Sequence, residues 1–441
     1  MFLPESVLSC LNTLEQAGFP CYAVGGCVRD SLLGRIPHDY DLCTAATPAE
    51  IKMLFSRYTL VLAGEKHGTV GVVTAGGVIE ITTFRTEGGY LDSRHPDWVN
   101  FVSDITEDLA RRDFTVNAMA YSPIRGLCDP FGGQDDLKNR VLRAVGQPHV
   151  RFTEDPLRIL RGVRFAVRYQ LEPDPDTKAA MEQLLPLMDK LARERVFDEL
   201  CKLLPSVSAA DLCRFSKELS QVIPELGATV GFDQHSSHHR YDVYTHTAYV
   251  VESTPPELAL RWAALLHDIG KVPTFTLDEE GKGHFLGHAG KSADMANDIL
   301  HRLKAPNALR EQVVQLIRQH MTPLEAEKKQ VRRRLSRLGI ETLTQLLQLQ
   351  KADFLSKGVS GKAPDFALIE ALIEEILREN SCLSIKDLAV NGHDLMAMGF
   401  TGPQIGRTLD HLLTQVLEEA IPNEKEALLC AAKESTSEVT I

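Results

Sequence analysis

No stretch of the 441-residue chain approaches the ~18 consecutive apolar residues of a membrane-spanning helix. The opening residues, Met1 to Glu5, lack the basic region and apolar core of a secretory signal, so the expected setting is the cytoplasm. No Cys-x-x-Cys pair occurs. The nine cysteines are odd in number and scattered from Cys10 to Cys430, which suits unpaired thiols in a reducing compartment and argues against a disulfide framework or a zinc ribbon. Internal repeats and low-complexity segments are absent too, which excludes a solenoid. Positive charge is not in surplus: 48 Lys and Arg stand against 60 Asp and Glu, a net charge of −12. Unspecific attraction to nucleic acid by bulk charge is thereby excluded, though a segregated basic patch is not. What remains is an average soluble composition, 44% hydrophobic and 24% charged. The length allows about three domains at roughly 100–200 residues each.

Residues 1–148 read as mixed α and β, and the rest as almost wholly helical. A helix is expected over 4–18 and a short strand at 21–24 running into Gly25-Gly26. Thr47-Pro48-Ala49-Glu50 has the signature of a capped helix start. Runs at 69–73 and 78–84, separated by Thr74-Ala75-Gly76-Gly77, read as a hairpin. The polar stretch between Arg85 and Thr106 reads as a long loop. From Thr153 onward the apolar spacing is helical. Later helices are expected at 176–188, 193–204, 245–251, 257–266, 292–302, 308–319, 331–338 and 342–355, with a hinge at 357–363 and a helical tail over 367–437.

Gly25-Gly26-Cys27-Val28-Arg29-Asp30 lies between a strand and a helix, where glycines let backbone N–H groups approach a phosphate. Such turns are also common structural punctuation. Asp39-Tyr40-Asp41 follows. In extended chain, residues i and i+2 share a face, so the two carboxylates converge and call for a cation between them. Solvated turn acids are the plainer alternative. Glu80 alternates with Ile79 and Ile81, and a neighbouring strand would add it as a third acid. Three carboxylates around Mg²⁺ serve nucleotidyl transfer, with two ions roughly 3.5–4 Å apart in such sites.

Further motifs follow in order: Arg111-Arg112-Asp113-Phe114-Thr115-x-Asn117-Ala118, Asp129-Pro130-Phe131-Gly132-Gly133 with Asp136-Leu137, Glu154-Asp155-Pro156-Leu157-Arg158-Ile159-Leu160-Arg161, and Glu194-Arg195-Val196-Phe197-Asp198-Glu199-Leu200. Together with the glycine turn and the Asp-x-Asp they resemble the class II tRNA nucleotidyltransferase and bacterial poly(A) polymerase family over about residues 20–204. The resemblance implies that Asp39 and Asp41 hold catalytic Mg²⁺ with Glu80 as third acid, that Gly26 and Arg29 meet the triphosphate, and that Arg112 and Asp113 lie near the sugar. Asp155, Arg158, Arg161 and Arg164 recur at three-residue steps, which predicts one helical face. An Asp–Arg pair complements the pairing edge of cytosine or adenine and mismatches guanine and uracil. By the resemblance Asp155 and Arg158 read the incoming base, with Arg161 and Arg164 binding phosphate or bracing that pair. The long segment 86–104, containing Asp92-Ser93-Arg94-His95-Pro96, resembles the version that permits the change to ATP and so favours complete CCA addition.

A second constellation resembles the HD superfamily of metal-dependent phosphohydrolases: His246, the pair His267-Asp268, and Asp353, with His288 and His320 as further positions for a second metal or a phosphate. The tail 383–395 resembles the family's tRNA-contacting region, and Arg332-Arg333-Arg334 reads equally as a phosphate contact or a solvated face.

The expectation is therefore an α+β chain. It has a nucleotidyltransferase β-sheet head (1–148), a helical neck carrying the base-recognition helix (149–230), an HD-type helical body (231–360) and a helical tail contacting tRNA (361–441). Its partners would be tRNA, CTP and ATP with no membrane, its cofactor Mg²⁺, and a second divalent metal would sit at the HD-type site. The rivals are an A-adding or poly(A)-synthesising enzyme, a phosphohydrolase whose N-terminal half docks RNA, and a non-catalytic tRNA-binding module.

Overall fold

The apolar run at 21–24 becomes β1 (Cys21–Val24), and all four of its residues are buried because it lies inside a sheet. This is seen in a computed structural model, which describes residues 1–88, 98–236, 240–358, 364–379 and 382–437. The chain divides into two units, Met1–Gly227 with Arg302–Ala305, and Ala228–His301 with Pro306–Ile441. The class is α+β, as expected.

In the first unit α1 (Glu5–Gln16) precedes β1. Then come α2 (Gly26–Leu32), β2 (Asp41–Thr44), α3 (Pro48–Leu54), β3 (Thr59–Val61), β4 (Thr69–Thr74) and β5 (Gly77–Thr83). The start of α3 carries the full capping box, with Thr47 accepting from the Glu50 backbone N–H and Glu50 accepting from that of Thr47. The β4–β5 hairpin closes with Thr74 opposite Gly77. The stretch expected to be a loop after Arg85 is instead partly a two-stranded ribbon, β6 (Arg85–Gly88) against β7 (Trp98–Phe101), whose ladder satisfies the backbone groups a loop would leave to solvent. The motif at 92–96 lies outside the described residues. After the ribbon come α4 (Ile105–Ala110), β8 (Ala120–Ser122), β9 (Gly126–Cys128), α5 (Gly133–Lys138) and β10 (Val141–Leu142). Among the described residues seven strands form one sheet in the order β3-β4-β5-β2-β1-β8-β9. Tyr22, Val24, Cys43, Phe84 and Leu109 pack together on it as core.

The helices that follow are α6 (Pro148–Glu154), α7 (Leu157–Tyr169), α8 (Pro175–Gln183), α9 (Arg193–Leu203), α10 (Ala209–Arg214), α11 (Ser216–Val222) and α12 (Pro224–Gly227), with β11 (Glu172–Pro173) pairing β10. The apolar spacing from Thr153 suggests one continuous helix, but the chain breaks at Asp155. That residue is extended (φ −141°, ψ 98°) because Pro156 crowds its α conformation.

The second unit is built on α13 (Val243–Ser253), α14 (Leu258–Leu266), α15 (Lys271–Thr274), α16 (His288–Arg302), α17 (Asn307–Gln319) and α18 (Lys328–Leu355). It continues with α19 (Phe366–Arg378), α20 (Gly392–Ala397), α21 (Pro403–Leu417) and α22 (Lys425–Ser437). The two helices expected at 331–338 and 342–355 are the halves of α18, interrupted at Gly339 (φ 76°, ψ 166°). The Arg332-Arg333-Arg334 run is engaged within this unit: Arg332 is buried and pairs with Glu419 at 2.6 Å, Arg333 pairs with Glu418, and Arg334 donates to Gln319. No helix among the described residues is long and apolar enough to cross a membrane.

Candidate active site

The sheet ladder sets the first acids. β2 starts at Asp41, which lies opposite Val24 on β1 and opposite Glu80 on the parallel β5. The end of β1 therefore delivers Gly25-Gly26 beside the first residue of β2. Asp39, two residues upstream, is exposed like Asp41, and both line one cavity. Glu80 is exposed and adjoins Asp41 through the ladder, but it is not among the residues lining that cavity. Burial of its surroundings, then Glu80, raises the Asp41 carboxyl above its ordinary value, and Arg112 only partly offsets this. An acid crowded by two others and incompletely neutralised is what a bound cation relieves. Gly25 suits this turn by its backbone, and a side chain there would also displace Arg112. Its φ is 71°, and a Cβ would stand 2.8 Å from an Arg112 guanidinium nitrogen.

The cavity measures about 680 Å³. Of the expected site residues it brings together Gly26, Arg29, Asp39, Asp41, Arg112 and Asp113, and also Asp155, Arg158, Arg161 and Arg164. Eight Arg and Lys side chains line it against four Asp, so cations outnumber acids on its wall although the chain's net charge is −12. Anions are favoured there. Arg111, Asn117 and Arg195, which lie inside the sequence motifs, also line it, as do Phe165 and Lys202, which no motif marks.

The arginines are held by acids around them. Asp108, wholly buried on α4, accepts from Arg111 Nε at 3.0 Å and from Arg112 at 3.4 Å. Burial would raise its pKa, but Arg111 and Arg112 hold it below the ordinary carboxylate value. Asp113 accepts from Arg161 Nε at 2.8 Å and from the Asn117 amide at 3.0 Å. Burial is again outweighed, chiefly by Arg161, and the Asp113 pKa lies far below its usual value. Asp113 is thus a brace for Arg161. Arg164 pairs with Glu199 at 2.6 Å.

The expected Asp155–Arg158 pair takes a different form. Arg158, Arg161 and Arg164 sit on α7, but Asp155 precedes that helix rather than sharing its face, because the Pro156 junction separates them. Its carboxylate is gripped by Arg195 of α9, at 2.7 and 3.2 Å, and accepts the Leu157 N–H at 3.1 Å. Arg158 instead pairs with Glu154 at 3.0 Å and donates to the Arg111 carbonyl at 3.2 Å. Asp155 and Arg158 both line the cavity, each oriented by another partner.

The second constellation converges in the other unit. His246 Nε2 lies 2.9 Å from Asp353 and 3.6 Å from Asp268. His267 Nε2 is 3.2 Å and His288 Nε2 3.4 Å from Asp268, with His320 Nε2 at 3.9 Å. The Nδ1 atoms of His246, His267, His288 and His320 face the backbone carbonyls of Ser356, Ala264, Phe285 and Ile317, so each Nε2 points inward. That is the arrangement of metal-ligating histidines. The buried Nε2 atoms of His267, His288 and His320 have no hydrogen-bond partner. Two overlapping triads, His246–His267–Asp268 and Asp268–His288–His320, have their ligand atoms within 4.8 Å of one another. Lys271 bonds Asp268 at 2.7 Å, a contact not foreseen from the motif.

A carboxylate pair at a strand edge, facing an arginine-walled cavity beside a helical segment, defines a nucleotidyltransferase. Residues 21–143 match the Poly A polymerase head domain, residues 170–215 an RNA and SrmB- binding site of polymerase A, and residues 275–432 a tRNA nucleotidyltransferase domain 2. The chain is 36% identical to the CCA-adding enzyme of Latilactobacillus sakei, covering 98% of this chain and 99% of that one. It is 35% identical to that of Streptococcus suis, covering 97% and 96%. A Bacillus stearothermophilus CCA-adding enzyme solved in complex with CTP superposes with a TM-score of 0.74 at 28% identity, covering 99% of this chain and 98% of that one. This chain belongs to the CCA-adding enzyme family of tRNA nucleotidyltransferases.

Proposed function

We propose that this protein rebuilds the 3′ end of tRNA, adding C, C and A from CTP and ATP. The 3′-hydroxyl attacks the α-phosphate, the bond to the β-phosphate breaks, and pyrophosphate leaves at each step. The observation that carries this reading is the single cavity joining Asp39 and Asp41 to Asp155 and its arginine wall. In this reading Arg29 and Arg112 offset triphosphate charge. Asp155, aimed by Arg195, accepts from the exocyclic amine of cytosine or adenine, and Arg158 donates to the adjacent ring nitrogen. Uracil and guanine would set a carbonyl against the carboxylate. Asp39, Asp41 and the neighbouring Glu80 would hold Mg²⁺, which the oxygen-only donor set and the raised Asp41 pKa favour. Such an ion sharpens the attacking hydroxyl and shields the leaving group. Nine free thiols accord with a cytoplasmic setting, and we read the chain as head, neck, body and tail at 1–148, 149–230, 231–360 and 361–441.

Truncated tRNA supplied with CTP alone, then with both nucleotides and Mg²⁺, tests this by product length. Extension by two residues and then a third is expected. Growth by adenosines alone would favour an A-adding or poly(A)-synthesising enzyme. Asp39→Ala should abolish incorporation and leave tRNA binding largely intact; full activity would refute the site.

A second reading concerns His246, His267, Asp268 and Asp353, favoured by the partnerless Nε2 atoms around Asp268. The mixed imidazole–carboxylate set suits a divalent transition metal. Such a metal supplies hydroxide at neutral pH, and Lys271 and Lys357 beside it suit a phosphate ester. Metal-dependent phosphate release that survives Asp39→Ala would support an accessory phosphohydrolase.

A further inference from the structure

Arg29 is more elaborately held than a phosphate-contacting arginine needs to be. It is buried on α2, yet its guanidinium reaches the cavity edge. One terminal nitrogen donates to the Asn117 side chain, another to the Tyr169 hydroxyl, and Asp30 pairs with it at 2.9 Å. The guanidinium also lies 4.2 Å from the Tyr169 ring centroid and 5.3 Å from that of Phe165. Tyr169 and Phe165 are both buried, their rings 6.1 Å apart on successive turns of α7. The aromatic pair and the base-edge arginine Arg158 therefore sit on one helix, with Tyr169 about 16 Å beyond Arg158 along its axis.

We infer that Tyr169 is a positioning residue for nucleotide binding, setting Arg29 against the triphosphate through its hydroxyl and ring. This inference rests on the nucleotide-transfer reading above. Tyr169 supplies a bond to a charged donor and a cation–π face at once, so two substitutions separate the contributions. Because it acts on Arg29, its influence falls on the triphosphate, which CTP and ATP share, and leaves base choice alone.

The test is steady-state incorporation into truncated tRNA with the full-length protein. Tyr169→Phe keeps the ring and should raise KM for both CTP and ATP roughly 3- to 10-fold with kcat little changed. Tyr169→Leu should raise both roughly 10- to 50-fold. In an Arg29→Lys background, Tyr169→Phe should add little further, since the cycle removes their shared term. A lowered melting temperature with unchanged KM would make Tyr169 a packing residue and overturn the inference. So would a change confined to one nucleotide, or full additivity with Arg29→Lys. If the unaltered protein incorporates no nucleotide, the transfer reading itself falls and the inference with it; wild-type activity with insensitive variants sinks the inference alone.

Discussion

Asp155→Asn tests the proposed base selection and the architecture that holds this carboxylate, each by its own readout. The carboxylate takes two bonds from Arg195 and one from the Leu157 N–H. Asparagine keeps the carbonyl oxygen for Leu157 and one Arg195 bond, but turns N–H donors toward the remaining guanidinium contact and toward the cavity. Losing one charge-assisted bond should cost about 1–3 kcal/mol of folding stability. At the base edge the change is larger in kind: an acceptor for an amine becomes partly a donor, which suits the carbonyl of uracil. Base-reading contacts of this type discriminate by about 1–3 kcal/mol, so preference for CTP over UTP should fall roughly 5- to 150-fold. The assay offers all four nucleotides singly to truncated tRNA, with thermal unfolding recorded on the same preparation. Lowered stability with the CTP/UTP ratio intact would make Asp155 a strut for Arg195 and refute its part in selection.

Asp108→Asn removes a buried charge shared by Arg111 and Arg112, and unfolding should show a loss of about 3–5 kcal/mol, with KM for nucleotide rising as Arg112 loses its anchor. In the second unit, burial and then the neighbouring His267 push the His320 imidazole down to about 4 from an ordinary 6.5. The unfolded chain therefore takes up this proton first: the stability is complete above about pH 6.5 and lost as pH falls toward 4, by about 3 kcal/mol from this residue. Denaturation of chelator-treated protein should show that slope, and His320→Gln should flatten it; an equal slope in both would refute the assignment. His267→Ala should abolish binding of Mn²⁺ or Zn²⁺ by the second unit in calorimetry while CCA addition proceeds, and undiminished binding would exclude that cluster as the metal centre.

Local pattern made some of this legible and left the rest hidden. The capped start at Thr47, the hairpin at Thr74–Gly77 and the α18 halves on either side of Gly339 each follow from neighbours in the chain. That Asp39 and Asp41 line one cavity accords with their two-residue spacing, and the place of Glu80 beside Asp41 needed only one parallel pairing. Asp155 was misplaced onto the helix because a three-residue spacing outweighed the proline beside it. Arg195 as the holder of Asp155 is 40 residues away, and Tyr169 as the holder of Arg29 is 140 away. No periodicity encodes such partners, since they arise only when separate elements are packed together. Asp113 lines the cavity as expected, but its bonds to Arg161 and Asn117, 48 and 4 residues away, were equally beyond local pattern.

The parallel pairing of β2 with β5 has a consequence for how the protein can fail. Asp41 and Glu80 are neighbours only in this alignment; sliding one strand by a single position would put Ile79 or Ile81 there and turn the glutamate to the opposite side. It would also expose Ile81, now wholly shielded from water, and bring a charge inward. Misalignment is therefore penalised by the same alternation that arranges the acids, so a chain folded well enough to hide its isoleucines has already assembled that part of its chemistry.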